Sequence, residues 1–379
     1  MKTVVTIGTG NSGCGAIHDY LVKCTKYKSP FKGQEFRMMD DPEGILNLYH
    51  NFYTNRSINN CIVPVSGAQD SYYIVHIVKN ILGLNPLLVT YNKHYNTLIG
   101  IRNLSYLKTI FGSPLITLTL SPQKVKKITR RTLMIMGSMY WHCIAGQTVF
   151  PVQMAYKYKI PLIIWGAHQG VDQVGMFSHE HEVEMSRRYR ENHDLFGMEA
   201  QDLITIDSDL TEEDISQYVY PDDKSIDEIG IRGIYLGNYI RWDPTSQHQL
   251  MIKKYGYKSC QLPRTFDTYD HVDCYNYMNL HDILKLSKRG YSKITDHVCR
   301  EIRHKRLTRE QGIELVNFYE HKKPENLDKF CDWLEIDANS LALVLNKSKN
   351  LGLISLLNET QVKTDINDYH LGYIVGPRI

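Results

Sequence analysis

From Cys61 onward, short runs of continuously apolar residues alternate with stretches of helical period. No other feature of this 379-residue chain limits its fold as strongly. Runs of strand length stand at 61–65, 86–90, 115–120 and 160–165. Between the first two, Tyr73, Ile74, Ile77, Val78 and Ile81 fall at the i, i+3, i+4 spacing of a buried helix face. A strand that is apolar at every position must be covered on both sides. Strands of that kind alternating with helices predict an α/β fold, a doubly wound parallel sheet. After about Trp242 the strand signals fade. Helical patterns follow at 247–255, 281–288, 295–303, 308–320 and 324–334, with another start near Ser340. Thr308 and Gln311 have the spacing of a capping box, in which each residue's side chain bonds the other's backbone N–H. The expected division is an atypical strand–helix segment at 1–58, a sheet domain at 59–245 and a helical C-terminal region at 246–379.

Composition narrows the function classes. Hydrophobic residues make up 42% and charged residues 22%, which excludes disordered and collagen-like chains. Lys and Arg number 44 against 41 Asp and Glu; the resulting +3 gives no charge argument for a nucleic-acid partner. No apolar run reaches the ~18–20 residues that span a bilayer, so no membrane partner is expected. The opening MKTVVTIGTGNSG reaches glycines before a signal-peptide core can form, and the expected location is cytoplasmic. Eight cysteines without a CxxC pair read as mostly buried thiols rather than a disulfide framework.

The chemistry concentrates in CIVPVSGAQDSYY, residues 61–73. A strand ends, a loop of small residues follows, and a helix begins at about Asp70. Such loops aim backbone N–H groups and a helix N-terminus at one anionic group. Ser66 and Ser71 add hydroxyls without bulk, Gly67 lets backbone come close to a ligand, and Asp70 can hold a magnesium ion that offsets phosphate charge. The spacing alone leaves open a tight turn capped by Asp70 with no ligand. Two further motifs are weaker. Gly8, Gly10 and Gly13 form a lone GxGxxG after a short β-branched run, and His179-Glu-His-Glu182 alternates two metal-ligand types without an evident third. The first reads best as an added strand and helix, the second as a solvated segment.

Ser66-Gly-Ala-Gln-Asp-Ser71 resembles the SGGxDS pyrophosphate loop of the PP-loop ATPases, the adenine nucleotide alpha-hydrolase-like superfamily. LNPLLVTYN (84–92), GIRNL (100–104), WHCIAG (141–146), YLGNYIRWDP (235–244) and LHDILKLSKRGYSKITDH (280–297) are similar to segments of the N-acetyl sugar amidotransferases, which include lipopolysaccharide and flagellin-sugar amidotransferases. The resemblance spans about 59–335. It implies an ATP- and Mg2+-dependent enzyme that adenylylates an acetamido oxygen of an N-acetyl sugar and replaces it with ammonia, releasing AMP and pyrophosphate. A separate glutaminase subunit and a cyclase-like subunit are the implied partners for ammonia supply. Ser66, Gly67, Ala68, Gln69, Asp70 and Ser71 match the pyrophosphate loop, with Asp70 and Ser71 as the implied catalytic residues. Thr90 and Asn92 lie where the superfamily places adenine and ribose; Gly100, Arg102 and Asn103 are implied ATP or sugar contacts. Lys126, Lys127, Arg130 and Arg131 are phosphate contacts or a solvated helix face. Asp296 and His297 help close the site or cap a helix.

Several positions depart from that pattern. Ala68 replaces a glycine, Gln69 a frequent lysine, and Ala167 a frequent glutamate. The cysteine-rich N-terminal segment is absent, and Tyr140 precedes WHC, leaving Cys143 without a zinc-site companion. These losses motivate one alternative, a degenerate non-catalytic partner subunit. A PP-loop enzyme acting on tRNA is another.

Overall fold

The computed structural model describes residues 59–167, 184–187, 191, 194–195, 197–206 and 209–351. The segment at 1–58, the GxGxxG at 8–13 and His179–Glu182 lie outside the described residues.

Five parallel strands form one sheet: β1 (Cys61–Pro64), β2 (Pro86–Tyr91), β3 (Leu115–Leu118), β4 (Leu162–Trp165) and β5 (Arg232–Tyr235), in the order β3-β2-β1-β4-β5. Side-chain alternation assigns the two faces. Cys61, Val63, Leu88, Ile164 and Ile234 pack into one core with Tyr72, Val75, Leu107 and Met251. Ile62, Leu87, Val89 and Ile163 turn the other way, against Phe150, Val152 and Ala155. Continuous apolar runs are therefore required, and the doubly wound α/β architecture expected from the sequence is the one observed.

The helices, in chain order, are α1 (Gln69–His76, continued by a π-helical turn at Ile77–Ile81), α2 (Leu98–Ile110), α3 (Pro122–Met136), α4 (Trp141–Tyr158), α5 (Ala200–Ile206), α6 (Glu212–Ile215), α7 (Asp223–Ile229) and α8 (Pro244–Tyr255). The C-terminal region adds α9 (Tyr275–Arg289), α10 (Lys293–Arg303), α11 (Arg309–Glu320), α12 (Leu327–Leu334) and α13 (Ala338–Leu351). Both α3 and α8 start on a proline and stop on a left-handed glycine, Gly137 at φ 60° and Gly256 at φ 63°. Proline loses no helical hydrogen bond there, and glycine adopts positive φ without steric cost. The capping box at Thr308 and Gln311 is present with both reciprocal bonds.

The C-terminal helices are joined to the sheet domain. Tyr95, Leu133, Met139 and Cys143 share a core with Cys274, Leu284, Phe330, Leu334 and Val344. Among the described residues, no helix is long and apolar enough to cross a membrane.

Candidate functional site

The strand order changes direction between β1 and β4, and a doubly wound sheet opens its ligand crevice at the strand ends beside that point. Residues 65–71 leave β1 there. Val65 still donates its N–H to Val89 O at 2.9 Å. Two hydroxyls then organise the turn: Ser66 N–H donates to Ser71 Oγ at 2.8 Å, and Ala68 N–H donates to Ser66 Oγ at 3.1 Å. Helix α1 begins at Gln69 on extended Ala68, with no side-chain cap. Asp70 is therefore not the cap that the turn reading expected; it lies in the first turn of the helix. First-turn N–H groups have no acceptor within their own helix, and together with the helix dipole they favour an anion.

Three backbones meet behind this loop. A Cβ on Gly67 would lie 2.3 Å from Gly100 O, and one on Gly100 would lie 2.5 Å from Asp273 Cα. The missing side chain at Gly67 thus admits helix α2, which the sequence reading had not anticipated. The fully buried Asn103 clips the same layer together: its Nδ2 donates to Gly67 O at 3.3 Å and to Lys258 O at 2.8 Å. Its Oδ1 accepts from Lys258 N–H and from Arg102 Nη1, both at 3.1 Å. Arg102 also donates to Gly256 O at 3.2 Å and lies 4.2 Å over the Tyr106 ring. Tyr72 OH donates to Asn103 O at 2.8 Å.

Thr90 and Asn92 stand at the end of β2. Thr90 is buried, and Asn92 Oδ1 accepts from His94 N–H at 3.0 Å and from Asn96 Nδ2 at 2.7 Å. The structure thus brings Gly67, Gly100, Arg102 and Asn103 into one clipped layer. Asn92 shapes the neighbouring strand exit.

Sequence reasoning missed Lys93. It is buried beside Asp273, with Nζ 2.6 Å from Oδ2. Burial alone would lower its pKa, but the carboxylate outweighs that and holds the ammonium above the ordinary lysine range. The partners are far apart in sequence, so no local pattern announces them. Below this pair, fully buried His142 joins Tyr95 OH (2.9 Å) and Tyr91 OH (3.1 Å). Burial, reinforced by nearby His94 and Lys93, pushes its pKa down to about 3, so the imidazole is neutral at pH 7.

The C-terminal region carries a dense set of paired charges. Arg264 meets Asp282 at 2.7 Å, Arg300 meets Asp267 at 2.6 Å and Glu301 at 2.9 Å, and Arg306 meets Asp243 at 2.8 Å. His297 bonds Thr265 Oγ1 at 2.7 Å and Asp270 Oδ2 at 2.9 Å, while Asp296 pairs with Lys285. Both residues sit inside α10, so the expectation that they cap a helix is corrected. Burial would raise the Asp270 carboxyl, but His271, Lys293 and His297 hold it well below the usual range.

Four of the five basic residues of α3 also pair with carboxylates, and the fifth, Lys124, donates to Glu213 O at 2.7 Å. Lys126 and Arg130 meet Glu335, at 2.5 and 3.1 Å; Lys127 meets Asp214 at 2.6 Å, and Arg131 meets Asp209. They join α3 to two later segments, a role that neither sequence reading of them included. Cysteines 61, 143, 260, 274, 299 and 331 are free thiols, and no group of three or more His, Cys, Asp or Glu able to hold a metal occurs among the described residues.

Residues 263–353 match a family model. Its description is LPS biosynthesis protein WbpG-like, C-terminal domain. The matched stretch takes in Arg264, the Asp267–Asp270 turn and α9–α13, and leaves out the loop at 66–71. No curated protein was found to match the chain.

Proposed function

We propose that this protein is an enzyme of lipopolysaccharide-sugar biosynthesis: an ATP-dependent amidotransferase that turns the acetamido group of an N-acetyl sugar into an acetamidino group. The biosynthetic setting draws support from the similarity of residues 263–353 to the WbpG-like C-terminal domain. The observation that carries the chemistry is the loop at the sheet's switch point, where α1 starts without a side-chain cap beside Ser66 and Ser71.

These residues fit the pyrophosphate end of ATP. The first-turn amides of α1 bind anionic oxygen, and the Ser66–Ser71 bonds hold the loop in one shape before a ligand arrives. Bound ATP would supply an adenylyl group that makes an amide oxygen displaceable by ammonia. In this reading Asp70, in the first turn of α1, shares Mg2+ with the phosphates. Magnesium commonly takes only one or two protein carboxylates alongside phosphate oxygens, so such a site needs no larger ligand cluster. Asn103 and Arg102 hold Gly67 O and the 256–258 segment in place behind the loop, which makes them positioning residues. In this reading ammonia comes from a separate glutaminase subunit with a cyclase-like subunit, and the protein works in the cytoplasm.

The test is AMP formation by the full chain supplied with Mg2+-ATP, ammonium and a panel of N-acetyl sugars. AMP and pyrophosphate released in equal amounts, only with both sugar and ammonium present, is the expected result. No AMP with any acetamido sugar rejects the reading.

A further inference from the structure

The basic stripe of α3 lines a pocket that the proposed reaction does not use. Lys127, Arg130, Arg131 and Met134 follow at i, i+3, i+4 and i+7 and therefore share one face of the helix. With Leu133 they form one wall; Ile336, Ser340 and Val344 form the other, around a cavity of about 370 Å³. That volume falls in the range of small-molecule sites, and the mixture of apolar surface with a few charged groups is their usual lining. Among the described residues, all ionisable side chains in the wall are cationic. Asp214, Glu335 and Asp209, which pair with them, lie outside the lining.

We propose that this pocket binds a phosphorylated small molecule of the nucleotide class. Phosphate oxygens meet Arg130 and Arg131, and the planar body lies on Met134 and Ile336, backed by the core residues Leu133 and Val344. Arg130 is held for this: its Nη1 donates to Leu334 O at 2.9 Å, so part of its side-chain freedom is already lost. The existing ion pairs of the two arginines do not block a ligand, whereas Lys127 stays on the more buried Asp214. Arg131 and Asp209 are 38% and 60% exposed, Arg130 and Glu335 35% and 53%. Pairs this open contribute little, whereas guanidinium forks bind phosphate through paired, charge-assisted bonds. The proposal stands apart from the reading of the loop at 66–71.

Calorimetric titration of the full chain with uridine diphosphate tests it, with pyrophosphate and uridine as separate arms. Uridine diphosphate should bind, pyrophosphate more weakly, and uridine without measurable heat. The Arg130→Gln/Arg131→Gln variant should weaken uridine diphosphate at least tenfold. Because that variant also removes ties to Glu335 and Leu334, Met134→Trp is the second probe. It narrows the cavity without removing a charge and should weaken binding to a similar degree, whereas Ser66→Ala should leave it unchanged. The proposal is overturned by no binding of uridine diphosphate, by affinity that both pocket variants leave intact, or by loss on Ser66→Ala but not on Met134→Trp. In the Ser66→Ala background, which removes the loop's contribution, pyrophosphate binding as tightly as uridine diphosphate overturns the assignment of the apolar wall.

Discussion

The loop at 66–71 and the network at 264–306 organise polar groups in opposite ways. In the loop, two hydroxyls and a clipped carbonyl hold a short stretch of backbone, and the helix behind it starts without a side-chain cap. In the network, ionic side chains are buried and turned on one another: Arg300 on Asp267 and Glu301, Arg264 on Asp282, His297 on Asp270. A buried charge is tolerated only when paired, so the network's charges are committed to holding the fold. The loop instead leads into a helix whose first-turn amides have no acceptor within their own helix. Between these two regions charge density therefore marks rigidity, and the candidate ligand site is the less charged of the two.

The sharpest way to break that contrast is to remove one partner in each region. Arg300→Met leaves Asp267 buried without its guanidinium, while Glu301 keeps Arg306. It should cost about 3–5 kcal/mol of unfolding free energy, read from urea denaturation. A loss below about 1 kcal/mol would mean that the network is not structural.

Gly67→Ala comes next. Its new methyl would meet Gly100 O at 2.3 Å, backbone against backbone. Overpacking of this kind costs about 1–3 kcal/mol and should displace the loop, lowering stability and ATP affinity together. Unchanged affinity would separate the loop from the site.

Acid should act on the buried histidines. Burial lowers His142 to about 3 and His248 to about 4 from an unfolded value of 6.5. Below pH 6.5 the unfolded chain then binds more protons than the folded one, so stability falls with pH by up to about 1.4 kcal/mol per unit for each histidine. Melting temperature should drop between pH 6.5 and 4.5, less steeply in His142→Asn. A flat profile would count against their burial as neutral rings.

The smallest effect belongs to Lys126→Gln. Its partner Glu335 is 53% exposed, so the change should stay within about 1 kcal/mol by denaturation. A larger loss would extend structural charge to the α3 surface.

How much of this could be read in the sequence depended on distance along the chain. Strands β1, β2 and β4 announced themselves because both faces are buried, the half-exposed edge strand β3 by its apolar run alone, and the loop after β1 because small residues interrupt that pattern. Strand β5 was missed. Arg232-Gly-Ile-Tyr is short, lies at the sheet edge, and carries a charge and a glycine; that glycine is needed because Met185 packs where its Cβ would be. Helix α9 starts at Tyr275, six residues before the periodic signal at 281. Its first turns are held by Tyr277 against Phe330 and Trp333, contacts no local window contains. The same holds for Lys93 with Asp273 and Lys127 with Asp214: residue types were visible, partners were not. The loop was legible as a candidate, but the packing of Gly67 on Gly100 was not, because a glycine signals close approach without naming what approaches.

Amide hydrogen exchange with and without Mg2+-ATP addresses the contrast most directly. Slower exchange at Gly67–Tyr72 on adding nucleotide, with the amides of 264–306 unchanged, is the predicted pattern. Unaltered exchange at 67–72, or protection confined to the charged network, would contradict it.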